Sequence, residues 1–150
     1  MRINWGAVGV AGVVYWLFQA GWFTIFQVPW ENGLRMSPEE IATYKAHPNF
    51  IPYVIALICN LVLAFIIARV LALGGVWTLV RGFRIGLLVG IAIALAMLTE
   101  MHFEDRLHTF IAVSAGAPLA GCIVMGLILG AWKPKLESTL TDADTRAGGI

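Results

Sequence analysis

The sequence predicts an all-α polytopic membrane protein, a bundle of four transmembrane helices with a short interfacial helix in the first loop. Three observations carry that prediction. Charged residues make up 13% of the 150-residue chain and hydrophobic residues 59%, whereas a soluble domain carries roughly 25% charge. A water-soluble chain this apolar would expose large apolar patches, so much of its surface is expected to face lipid. The apolar residues fall in four runs, at 5–28, 51–73, 84–102 and 109–132, each close to the roughly 20 residues that cross a bilayer at about 1.5 Å per residue. The runs do not alternate, so they read as helices rather than barrel strands, and only those two solutions satisfy the backbone in hydrocarbon. One domain, 1–132, accounts for all four spans, and 133–150 reads as a polar cytoplasmic tail.

The first run is longer and more aromatic than the apolar part of a signal peptide and reads as a retained span. Trp5 and Trp30 stand at its ends, where aromatic belts form. Tyr15, Trp22 and Phe26 fall near one helical face with Gln19 among them. That face is read first as packing, and second as an aromatic cavity for a lipid, quinone or pigment. In the first loop, Ser37-Pro38-Glu39-Glu40 has the form of a capping box with proline at the first helical position. A short helix is expected to follow and to stop before Pro48, with Ile41 and Tyr44 on one face, lying on the bilayer surface. A capped connector is the plain reading and a lid the sharper one.

The second run carries Asn60 near its midpoint, as the first carries Gln19. An amide in hydrocarbon needs a partner, so the two are expected to bond each other as structural glue; polar handles of a substrate site are the alternative. The middle loop, 72–82, is short and holds Gly74-Gly75, which makes the second and third spans antiparallel neighbours. Small residues recur at four-residue spacing in the last two spans: Gly86, Gly90 and Ala94, then Ser114, Pro118, Cys122, Gly126 and Gly130. Such strips let helices approach closely, within one chain or across a homodimer. Pro118 removes a backbone donor and is expected to kink the fourth span. Cys59 and Cys122 lie inside apolar runs and read as buried small hydrophobes. Lys133-Pro134-Lys135 stops the fourth helix, and 136–150 is expected to be disordered or loosely helical.

Thr99 to His108 is the densest polar cluster and joins the third and fourth spans. Glu100, His102, Glu104 and His108 invite a metal or acid–base reading. On a continuous helix Glu100 and Glu104 share a face and His102 points away from it, so a turn would have to bring His102 and His108 together. A water-facing turn is the plainer reading, with Arg106 paired to Glu104 or Glu100. No ionisable residue lies at mid-bilayer, which disfavours a proton relay; Arg69 near a span end can snorkel. His47, His102 and His108 all fall near one interface, which disfavours a haem held between spans. No phosphate loop, nucleophile elbow, CxxC pair or HExxH helix is present.

Orientation follows from Lys and Arg. Arg2, Arg69, Arg81, Arg84, Lys133, Lys135 and Arg146 share one side, against Arg35, Lys45 and Arg106 on the other. The bias places both termini in the cytoplasm. Net charge is +1, which supplies no field for nucleic acid.

The opening Ile3-Asn4-Trp5-x-Ala7-Val8, the Gly21-Trp22-Phe23 segment with Phe26 and Trp30, and Phe103-Glu104-Asp105-Arg106 followed by Met125-Gly126-x-Ile128-Leu129-Gly130-Ala131-Trp132 form a pattern. It resembles a bacterial family of short four-span proteins known as domain of unknown function 1761, over roughly residues 3 to 132. The chain departs from that pattern at Phe23-Thr24-Ile25, where Tyr and Ser-Pro are expected. It departs again at Ser114-Ala115-Gly116-Ala117-Pro118, where Asn, Gly and an aromatic are expected. The resemblance implies a four-helix membrane fold and supplies no reaction, so it assigns no catalytic residue, cofactor or metal.

The leading expectation is a non-catalytic protein of a bacterial inner membrane. It would be an accessory or interaction subunit that binds a lipid-like molecule and partners the bilayer, a second copy or another membrane protein. An oligomeric small-solute transporter or channel would need Gln19, Asn60 and Ser114 as its polar path. A membrane enzyme would use Glu100, His102, Glu104 and His108.

Overall fold

In a computed structural model the chain is described at residues 3–34, 36–47, 49–75 and 77–132, and its regular elements there are all helices. They are α1 (Trp5–Ile25), α2 (Gln27–Gly33), α3 (Pro38–Ala46), α4 (Ile51–Leu73), α5 (Leu79–Phe103) and α6 (His108–Ala131). Four of them, α1, α4, α5 and α6, are long and apolar enough to cross a membrane. The readings placed on Arg2, Arg35, Pro48 and the tail 133–150 lie outside the described residues.

Two boundaries differ from the apolar runs, each for a local reason. The first run does not stay helical to Val28: α1 stops at Ile25 and α2 takes over after Phe26. Pro29 lies four residues beyond Ile25. A proline there has no N–H for the Ile25 carbonyl and its ring crowds it, so the helix breaks at that point. The third span starts at Leu79, not Arg84. Thr78 caps it, its hydroxyl accepting from the Arg81 amide at 3.3 Å. Arg81 then reaches back and donates to the Gly74 carbonyl at 2.9 Å, covering the C-terminal end of α4. Hydropathy alone ends a span at its arginines, whereas arginine is a good helix former.

The first-loop helix forms at α3 with its capping box complete: the Glu40 amide donates to Ser37 Oγ at 3.2 Å, and the Ser37 amide donates to Glu40 Oε2 at 2.7 Å.

The bundle is organised around α6, the most buried of the four long helices. It packs against α1, α2, α4 and α5, whereas α5 leans mainly on α6 and only lightly on α4. Lipid tails are as apolar as leucine, so close packing rather than water expulsion must hold such helices together. The α5–α6 contact shows how. A Cβ at Gly82 would run into the Gly126 carbonyl oxygen, and one at Gly86 into that of Cys122. Ala94 and Cys122 are buried in the same seam region. The two small-residue strips therefore meet within one chain. On another side of α6, Cys122, Met125 and Leu129 form the core with Ala7, Ala11 and Tyr15 of α1 and with Ala64, Ile67 and Leu71 of α4.

Candidate functional site

Gln19 and Asn60 are joined at mid-span. Asn60 Nδ2 donates to Gln19 Oε1 at 2.7 Å, and Gln19 Nε2 donates to the Tyr15 hydroxyl at 3.2 Å. Asn60 is buried and Gln19 half-buried. The three side chains form one chain of bonds that ties α1 to α4, and no buried side-chain nitrogen or oxygen among the described residues lacks a partner. Ser114 is buried on α6, and among the described residues no hydrogen bond links it to either amide.

The aromatic face of α1 is a packing ladder. Tyr15, Phe18, Trp22 and Phe26 follow one another with ring centroids 6.4, 5.7 and 4.7 Å apart. Tyr15 is 2% exposed and its ring covers Gly121, where any Cβ would strike it. Trp22 lies over Gly116 and donates from Nε1 to the Val113 carbonyl at 3.0 Å. That bond falls beside the place where Pro118 leaves the Ser114 carbonyl without its usual donor four residues on. Sequence reasoning picked out Trp22 but not this role, because its acceptor is 91 residues away.

The polar cluster between α5 and α6 forms a tight turn. Asp105 takes a left-handed φ of 52°, and the chain reverses there. The reversal brings the rings of His102 and His108 together, with centroids 6.4 Å apart and planes nearly perpendicular. His102 Nδ1 donates to the Leu98 carbonyl at 2.7 Å, which leaves Nε2 as the ring's free nitrogen. Arg106 pairs with Glu104 at 2.9 Å and lies over the Phe110 ring. Glu100, His102, Glu104 and His108 are all exposed. Among the described residues no three His, Cys, Asp or Glu side chains converge to hold a metal.

The same end of the bundle carries the only other ion pair among the described residues, Lys45 to Glu31 at 2.8 Å, which fastens α3 to α2. Lys45 first, and then Gln27, hold the Glu31 carboxyl below the usual carboxylate range. Bonds from Ser37, its backbone amide foremost, do the same for Glu40.

At the other end a shallow cavity of about 400 Å³ lies on the flank shared by α1 and α4, lined by Trp5, Val8, Gly9, Leu61, Val62 and Phe65. Trp5 stacks on Phe65 at its mouth, with ring centroids 5.4 Å apart and planes 7° from parallel.

No curated protein and no solved structure matches the chain. One family, described as protein of unknown function (DUF1761), matches residues 6–130, from the second residue of α1 to the next-to-last of α6. With all four membrane-length helices inside that match, the chain belongs to the DUF1761 family of proteins of unknown function.

Proposed function

We propose that the protein is a non-catalytic integral membrane component, an accessory or interaction subunit that holds a lipid-like molecule at its flank. The carrying observation is the Asn60–Gln19–Tyr15 chain of bonds. A transport path needs polar groups that face a passage. Here the two mid-span amides are spent on each other, which supports their reading as structural ties rather than as handles for a solute. The open groove between α1 and α4 is apolar, as a lipid-holding flank requires.

The reading includes placement in a bacterial inner membrane with both termini in the cytoplasm. The arginines support it: Arg69, Arg81 and Arg84 gather at one end of the bundle, the end assigned to the cytoplasm by charge bias. Native mass spectrometry and crosslinking in mild detergent test the proposal. A co-purifying lipid or membrane partner is the expected result, and a bare monomer with neither would overturn it. In liposomes, solute flux that disappears in Gln19→Leu or Asn60→Leu would instead establish the transporter.

A further inference from the structure

We propose that His102 and His108 together chelate one divalent transition-metal ion of the zinc class at the turn between α5 and α6. The site goes beyond the lipid-holding reading and does not depend on it.

Reach is the first observation. His102 lies in the last turn of α5 and His108 opens α6. On one continuous helix two residues at that spacing would face different sides. The reversal at Asp105, with its left-handed φ of 52°, brings their ring centroids to 6.4 Å with the planes nearly perpendicular. An ion about 2.0–2.1 Å from one nitrogen of each ring sets the centroids about 5–6 Å apart, so a small side-chain rotation closes the pair on it. His108 is exposed and its ring makes no hydrogen bond among the described residues, which leaves it able to make that rotation.

The tautomer is the second. His102 Nδ1 donates to the Leu98 carbonyl at 2.7 Å. The ring proton therefore sits on Nδ1 and the lone pair on Nε2, the form in which an imidazole ligates. Metal-bound histidines characteristically give their other N–H to a carbonyl or a carboxylate, which fixes the ring and raises its basicity. Here the bond spans a single turn of α5, so the ring is held ready by its own helix.

Charge is the third. Glu100, Glu104 and Asp105 share the turn with the histidines, and Glu31, Glu39 and Glu40 belong to α2 and α3 at the same end. Against them the sequence sets only Arg35, Lys45 and Arg106, and Lys45 and Arg106 are each paired to a carboxylate. The excess of carboxylates draws cations toward the turn. The imidazoles then decide which cation stays, because zinc and its neighbours accept nitrogen ligands whereas calcium and magnesium demand oxygen. With two protein ligands the rest of the shell belongs to water, so the ion is exchangeable.

The test is isothermal titration calorimetry of the full chain in mild detergent and chelator-free buffer, with zinc chloride and in parallel with calcium chloride. The wild type should bind one zinc ion per chain and calcium at least about tenfold more weakly. His102→Ala and His108→Ala should each lower zinc affinity at least about tenfold, the loss already expected from disturbing a ligand's supporting bond. His47→Ala, which removes the third histidine of that end, should leave it unchanged. Nitrogen NMR of the wild type, which depends on no variant's folding, should show His102 protonated at Nδ1 and both rings shifting together as zinc is added. No zinc uptake, equal affinity for calcium, or an equal loss with His47→Ala would overturn the site. So would zinc affinity that survives the loss of either ring, or a shift confined to one of them.

Discussion

An amide in the middle of a bilayer has no water to bond, so its worth depends on the one partner within reach. Asn60 and Gln19 are each other's partner, and Tyr15 extends the chain of bonds. Replacing Asn60 by Leu should cost about 1 kcal/mol, the scale of interhelical hydrogen bonds in membranes. Gln19→Leu should cost a similar amount, and the double variant less than the sum, since the second change removes a bond already lost. Thermal or denaturant unfolding in detergent, arranged as a double-mutant cycle, measures this; strictly additive losses would show that the pair does not couple. Outside the spans, Glu31 and Glu40 carry lowered pKa values. A carboxylate whose folded pKa is depressed contributes its stability above the unfolded value, about 4.3 for Glu. That contribution is lost as pH falls through the lower folded value. The α2–α3 region should therefore keep its order from neutral pH down to about 5 and loosen only in stronger acid. Side-chain carboxyl NMR titration of the two glutamates checks the direction: both should titrate below free Glu.

Among the elements, the α5–α6 seam is the most exacting. Its glycines meet backbone carbonyls rather than flexible side-chain ends, so a larger residue cannot be absorbed by a change of rotamer. Gly86→Leu should destabilise by at least about 3 kcal/mol, the upper range for overpacking, and should reduce folded yield in membranes. Gly21 is the opposite case, since a Cβ there meets nothing within 4 Å. Gly21→Ala should stabilise α1 by about 0.5–1 kcal/mol through helix propensity alone. The pair of variants separates glycine needed for close approach from glycine merely present in an apolar helix. A Gly86→Leu protein as stable as wild type would mean that this seam does not hold the bundle together. The break between α1 and α2 has its own cause in Pro29, and the early start of α5 has its cause in Thr78 and Arg81. All three residues stand plainly in the sequence, but hydropathy weighs them only as less apolar positions, not as a breaker and two caps.

For the whole molecule, an even number of membrane-length helices puts the starts of α1 and α5 on the same side as the ends of α4 and α6. Reporter fusions at the N-terminus and after Trp132 should therefore report the same compartment, and the arginine bias predicts the cytoplasm. Opposite compartments for the two fusions would break the four-span arrangement itself. The small-residue strips, read from sequence as serving either the monomer or a dimer, are occupied inside one chain. Substitutions in them should consequently lower the folded yield rather than shift an oligomeric equilibrium, which size-exclusion chromatography of the surviving fraction would show.

Membrane residence, four helical crossings and the capped helix of the first loop follow from the sequence alone, because each is a local demand. Twenty apolar residues must bury their own backbone bonds, and Ser37 with Glu40 satisfies amides only three residues away. The need of Gln19 and Asn60 for partners was legible in the same way. What the linear order could not decide was which helix stands at the centre, that Trp22 donates to Val113, and that the Asp105 turn brings His102 to His108. These depend on how four similarly greasy helices choose neighbours. Lipid offers no hydrophobic preference among them, so the choice falls to the fit of glycines, rings and carbonyls that lie far apart along the chain.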